Sequence, residues 1–138
     1  VELATAQYPN SHITFHSHIT PSDLILYADE NLISQVLINV LKNAIQAIDA
    51  AGIPEGIITL HAYCNENEAV LIEVSNNGPA IPPEVAEHIF IPFFTTKEGG
   101  SGIGLSISRQ IMRLSGGSLS LHLGKETTFV LKIQLGNV

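Results

Sequence analysis

Basic residues are scarce in this 138-residue chain: 6 Lys and Arg stand against 13 Asp and Glu, for a net charge of −7. A nucleic-acid binder needs a basic face, and the chain has no cluster of Lys and Arg, which excludes that class. An acidic protein that takes a polyphosphate must meet it with backbone N–H groups, a metal ion and one or two placed cations. Cysteine occurs once, as Cys64, which excludes an internal disulfide and a Cys-rich metal site. Its strand-like surroundings suggest a reduced, inert packing residue. No run of about 18 apolar residues is present, so nothing reads as a membrane-spanning helix, and no signal peptide is visible. Repeats and low-complexity segments are absent as well. The chain opens in mid-pattern without Met, and the expectation is one domain, residues 1–138, excised from a longer protein. Apolar residues, in contrast, are plentiful. A hydrophobic fraction of 45% and a mean hydropathy of +0.27 argue for a true core and against disorder.

Hydrophobic periodicity divides the chain into elements. Residues 12–17 alternate as a half-buried strand does, and residues 24–28 look like its hairpin partner across the Thr20-Pro21-Ser22-Asp23 turn. Asp29 reads as the N-cap of a long helix reaching about Ala51. Ile33, Val36, Leu37, Val40, Leu41, Ala44, Ile45 and Ile48 repeat at helical spacing there, and Gly52 and Pro54 end it. Two strands follow at 57–64 and 69–75. A turn-rich loop then leads to a short helix at 83–89. Residues 103–115 form a second amphipathic helix stopped by Gly116-Gly117, and strands at 118–123 and 127–135 complete the chain. The order ββαββ(α)αββ predicts an α/β (α+β) two-layer sandwich with helices on one face of a sheet.

Four segments carry chemistry. The run Gly99-Gly100-Ser101-Gly102-Ile103-Gly104-Leu105 packs four glycines into six residues and leads straight into a helix. Such glycines allow close backbone approach, and a helix start offers free N–H groups and a positive dipole end, a cradle for phosphate. It matches neither GxxxxGK[ST] nor a strand-borne GxGxxG, and a flexible loop capping a helix is the bland alternative. On the long helix Asn39, Asn43 and Gln46 share one stripe beside the apolar face. Asn competes with helix formation, and an amide oxygen is a hard ligand suited to Mg²⁺, which takes its other ligands from water and phosphates. A solvated polar stripe would look the same. The loop Ser75-Asn76-Asn77-Gly78-Pro79-Ala80-Ile81-Pro82 follows a strand and is set on a tight path by Gly78 and its prolines. Asn76 there could present its amide to a heterocycle edge, unless the loop is an ordinary turn. Finally, Phe90, Phe93 and Phe94, three of five Phe, bracket Pro92 ahead of Thr95-Thr96-Lys97-Glu98. This is the pattern of a lid anchored by aromatics and swung by glycines, or of a plain hydrophobic plug.

With these segments in this order, residues 12–135 resemble the catalytic ATP-binding domain of bacterial sensor histidine kinases. These belong with gyrase and MutL to the Bergerat fold: a mixed, mostly antiparallel sheet of about five to six strands with about three helices on one face. Asp29 to Ala47, with Gln35 to Ala44 inside it, is similar to the family's N box. The resemblance implies that Asn43 coordinates Mg²⁺, that Asn39 one turn earlier shares its face, and that Lys42 approaches phosphate. Asn76 to Ile81, including Gly78 and Ala80, corresponds to the first glycine box, Phe90 to Phe94 to the F box with Phe93 in it, and Gly100 to Leu105 to the second glycine box. The segment Phe93 to Lys97 with a short lid, residues 82–101, is especially similar to nitrogen-regulation kinases. The implied activity is transfer of the γ-phosphoryl of Mg²⁺-ATP to a histidine on a separate phosphoacceptor domain, in two-component signalling with a downstream response regulator. Lys97 and the N–H groups of Gly100, Ser101, Gly102, Ile103 and Gly104 would offset phosphate charge, with Asn39, Asn43 and Lys97 the catalytic set. Asn76 and Thr127 would orient adenine between Ile81 and Leu105.

Two positions depart from the family pattern. The first glycine box usually opens with Asp, whose carboxylate accepts a hydrogen bond from the adenine amino group. Asn76 offers an amide oxygen without charge assistance, and Ala80 replaces the box's second glycine. The expected effect is ATP binding weaker by roughly tenfold, for a combined cost of about 1.4 kcal/mol. Thr127 keeps the hydroxyl of the family's Gly-Thr-x-Phe segment while Glu126 replaces its glycine. None of the six His (12, 16, 18, 61, 88 and 122) sits in a phosphoacceptor context, so little turnover is expected alone. The alternatives are a degenerate nucleotide-binding module, a serine kinase, or an ATP-hydrolysing relative. The last would need a helix Glu where Asn39 stands, and an amide cannot act as a base. The further expectations are a monomeric, cytoplasmic domain with no nucleic-acid or direct membrane contact, from a parent that is membrane-anchored or free.

Overall fold

A computed structural model describes residues 13–20, 30–65, 69–86, 88–91 and 104–134. Among the described residues five strands form one sheet: β1 (Ile13–Thr20), β2 (Gly56–Cys64), β3 (Ala69–Asn76), β4 (Gly117–Leu123) and β5 (Thr127–Gln134). Their spatial order is β1-β2-β3-β5-β4. β1 runs parallel to β2 and every other pairing is antiparallel. The sheet is thus mixed and mostly antiparallel, as expected. Within the same residues three helices accompany it: α1 (Glu30–Ala51), the single turn α2 (Pro83–Ala86) and α3 (Gly104–Leu114). The first strand finds its partner in β2, a parallel neighbour reached through α1, and the proposed hairpin partner at 24–28 and the cap Asp29 lie outside the described residues.

The core follows from strand alternation and one helix stripe. In β2, β3 and β5 the buried Ile58, Ala62, Val70, Ile72, Val74, Phe129, Leu131 and Ile133 fall on one face, because directly paired residues share a face: Val70 pairs with Ile133, Ile72 with Leu131 and Val74 with Phe129. Onto this face α1 lays Val36, Val40, Leu41, Ala44, Ile45 and Ile48, each at most 1% exposed, so the 3.6-residue stripe read from the sequence is the core stripe. Met112 of α3 and Leu119 of β4 close the same cluster. Both helices end on left-handed glycines, Gly52 (φ 67°) and Gly116 (φ 79°), a conformation costly for residues with a Cβ.

The opposite face is open and polar. There Ser75 and Thr128 share a hydroxyl hydrogen bond of 2.9 Å, and the Tyr63 hydroxyl donates to Glu73 Oε2 at 2.5 Å. That hydrogen bond, with some burial and the Glu73 charge, raises the Tyr63 phenol above its ordinary value of 10.0. His16, His61 and His122 are exposed on strands, and His88 is exposed after α2. Cys64 corrects an expectation. It is exposed at the last position of β2, so the packing part of that strand ends at Ala62.

Candidate functional site

Asn39, Lys42 and Asn43 lie on α1, and two of the predicted glycines, Gly78 and Gly104, pack against it. Gly104, which opens α3, lies against Asn39: a Cβ built on it would stand 3.9 Å from Asn39 Cγ. Gly78, in the loop after β3, lies against Ala47 and Ile48, with a Cβ there 3.6 Å from each. Asn39, Asn43 and Ala47 recur at intervals of four and so form one row on the helix. Asn43 therefore sits midway between Gly104 and Gly78. These touch α1 at points about 12 Å apart along its axis, eight residues at about 1.5 Å each.

At one end of this stretch Asn39 joins the two helices. Its Nδ2 donates to Ser108 Oγ at 3.0 Å and more weakly to the Gly104 carbonyl at 3.4 Å, while Gln35 Nε2 donates to its Oδ1 at 3.2 Å. Ser108 Oγ also donates to Gly104 O at 2.8 Å. Ser108 is fully buried and was missed by sequence reasoning. Its signal was a polar residue at the core-facing position of an apolar helical pattern. Asn43, Lys42 and Leu105 are half-buried, with Leu105 packed against the core cluster.

At the other end, β3 delivers Asn76 and β5 delivers Thr127. They pair directly across the ladder, on the face that α1 covers, and are 2% and 5% exposed. The backbone N–H of Gly78 donates to Asn76 Oδ1 at 2.9 Å. Glycine is required for this approach, since a Cβ at position 78 would lie 2.8 Å from that oxygen. Asn77 clamps the loop to the start of β2. Its N–H donates to Ile57 O at 3.1 Å, its Oδ1 accepts the Ile57 N–H at 2.7 Å, and its Nδ2 donates to Glu55 O at 3.0 Å. This role was missed too, because an Asn-Gly pair reads first as an ordinary turn. Ala80 is exposed and Ile81 half-buried.

Of the predicted aromatic anchor, Phe90 is described. It meets Phe129 of the core edge-on, with centroids 6.4 Å apart at 89°. The Arg109 guanidinium of α3 sits 4.5 Å over its ring, a cation–π contact that ties the segment after α2 to α3. Phe93, Phe94, Lys97, Gly100, Ser101, Gly102 and Ile103, and with them most of the proposed lid, lie outside the described residues.

No group of three or more His, Cys, Asp or Glu that could hold a metal occurs among the described residues. The donor set on α1 is instead one of neutral amides, which suits a hard cation that keeps its waters and shares phosphate oxygens. No described helix is long and apolar enough to cross a membrane.

Comparison with known proteins gives the family. Residues 28–137 match the family described as histidine kinase-, DNA gyrase B-, and HSP90-like ATPase, and the chain belongs to it. Among its relatives are sensor histidine kinase ZraS of Salmonella typhi, 36% identical over 108 residues (77% of this chain, 22% of ZraS), and sensory histidine kinase/phosphatase NtrB of Escherichia coli O157:H7, 36% identical over 130 residues (86% of this chain, 36% of NtrB). The solved catalytic domain of histidine kinase ThkA superposes with a TM-score of 0.81 at 36% identity, covering 96% of this chain and 86% of that one. A longer ThkA chain, solved in complex with response regulator protein TrrA, gives a TM-score of 0.75 at 34% identity, covering 96% of this chain and 37% of that one. The chain is thus a kinase catalytic ATPase domain of the sensor histidine kinase type. It spans about a fifth of the length of the first curated relatives it matches.

Proposed function

We propose that this domain binds Mg²⁺-ATP along α1, between the two glycine segments, and donates the γ-phosphoryl group to a histidine on a separate helical phosphoacceptor domain. The observation that carries the reading is the placement of Asn43 one helical turn from Asn39, where Gly104 touches α1, and one turn from Ala47, where Gly78 touches it. Asn76 and Thr127 meet the edge of the base, with Ile81 and Leu105 as apolar walls. The Asn43 amide oxygen would hold Mg²⁺, which would supply charge neutralisation at the phosphates. Lys42, Lys97, the Ser101 hydroxyl and the N–H groups of Gly100, Gly102, Ile103 and Gly104 offset the remaining phosphate charge, with residues 82–101, Phe93 among them, as the lid. The chain itself contributes positioning and electrostatics, which suffice for a largely dissociative transfer.

The acceptor is a histidine outside this chain, since its described histidines stand on strand surfaces or after α2. A response regulator then takes the phosphoryl group, by analogy with the ThkA–TrrA pair, and the site of action is the cytoplasm. Incubation with γ-labelled ATP and Mg²⁺, with and without an added phosphoacceptor domain, tests this. Label should appear on the added domain and not on the chain alone. A chain that binds nucleotide yet labels no acceptor would be a binding module instead.

A further inference from the structure

Asn76 holds its amide in one orientation. Gly78 N–H can only donate, so the atom facing it at 2.9 Å must be the acceptor, Oδ1. Rotating the amide by half a turn would set its NH₂ against that N–H. Nor can the loop yield easily, because Asn77 is bonded to Ile57 and Glu55 through three hydrogen bonds. The other polar atom of the side chain, Nδ2, is therefore the one left to face a ligand. Among the described residues no buried side-chain nitrogen or oxygen lacks a partner, and the bond of the Asn76 side chain to Gly78 uses Oδ1, which leaves Nδ2 as the atom for a ligand. A carboxylate in this place would offer a second acceptor there. Asn76 offers a donor.

We infer that Asn76 makes the base end of the site favour purines with a 6-oxo group, so that inosine or guanosine triphosphate binds at least as tightly as ATP. This rests on the nucleotide-binding reading above. An adenine 6-amino group would point N–H at N–H, whereas a 6-oxo oxygen accepts from Nδ2. The Thr127 hydroxyl, paired across the ladder from Asn76, both donates and accepts, and so suits the protonated N1 of a 6-oxopurine as well as the bare N1 of adenine. The same polarity predicts ATP binding that is weakened without loss of the site.

Displacement of a fluorescent nucleotide by ATP and by inosine triphosphate, with Mg²⁺, on the 138-residue chain tests the inference. Inosine differs from adenosine only at the 6-position and the N1 proton. The wild type should bind inosine triphosphate as tightly as ATP or tighter. Asn76→Asp should reverse the order and favour ATP by about tenfold or more. Asn76→Ala, with neither donor nor acceptor, should fall between them and keeps the comparison available if the Asp variant does not fold. A wild type that prefers ATP by about tenfold, or a ratio unmoved by Asn76→Asp, overturns the inference and leaves the nucleotide site standing. Binding of neither nucleotide by wild type or variants overturns both.

Discussion

Asn39 Nδ2 donates to Ser108 Oγ across 3.0 Å, a hydrogen bond between residues 69 apart in sequence. It fixes the start of α3 against α1 at the point where the second glycine segment ends. Asn39→Ala removes it but leaves Ser108 bonded to Gly104 O, so no buried hydroxyl is orphaned. The expected cost is about 1 kcal/mol. Asn39→Asp should cost more at neutral pH, because it sets a carboxylate oxygen against the Gly104 carbonyl, and the excess should fade as acid protonates it. Urea unfolding of both variants at pH 7 and pH 4 measures this.

Gly78→Ala drives a methyl to 2.8 Å from Asn76 Oδ1. The same methyl would meet Ile48 of the core only at an ordinary 3.6 Å, so the fold should persist, while the Asn76 side chain is displaced. Nucleotide affinity should fall by about tenfold or more for the loss of one well-placed hydrogen bond and its strain. Circular dichroism beside nucleotide titration separates the two effects.

Phe90→Ala removes an edge-on contact with Phe129 and the seat of Arg109. Because Phe90 is half-buried, the expected destabilisation is about 2 kcal/mol, below the roughly 3–5 kcal/mol of a fully buried Phe. Arg109→Ala should cost less, about 0.5–1 kcal/mol at a site of partial exposure. A double-mutant cycle in thermal unfolding should show the two changes to be non-additive.

Tyr63 gives the open face a pH response. Its folded pKa is raised, mainly by the hydrogen bond to Glu73, so above pH 10 the unfolded chain loses this proton before the folded one does. Fewer protons on the unfolded state mean that stability falls as pH rises. The Tyr63 contribution is thus full below its ordinary value and is lost as pH climbs through the raised one. Melting temperatures of wild type and Tyr63→Phe should converge above that range, with the wild type showing the steeper alkaline fall.

What the sequence made legible, and what it hid, follows from the range of each signal. The stripe from Ile33 to Ile48 and the strand-like runs of β2, β3 and β5 are local and strong, so the helix with its buried stripe and the strand ranges were predicted closely. Pairing is not local. β1 alternates as any half-buried strand does, and nothing in that pattern reveals that its neighbour is the parallel β2, 36 residues beyond its end. At the site, Asn39, Asn43, Asn76 and Gly104 were singled out by residue type and spacing. Ser108 and Asn77 were not, since their roles exist only once α3 meets α1 and the loop meets β2. The polarity of Asn76 was equally hidden. The sequence names the amide, and only the Gly78 N–H decides which of its atoms is spent.

The central claim is that α1, through Asn43, and the two glycine segments form a Mg²⁺-nucleotide site. Calorimetric titration of the chain with a non-hydrolysable ATP analogue, with and without Mg²⁺, beside Asn43→Ala and Asn76→Asp, tests it most directly. The account predicts saturable binding that Mg²⁺ strengthens, loss of the Mg²⁺ effect in Asn43→Ala, and tighter binding in Asn76→Asp. Absence of binding in the wild type that Asn76→Asp does not restore would contradict it.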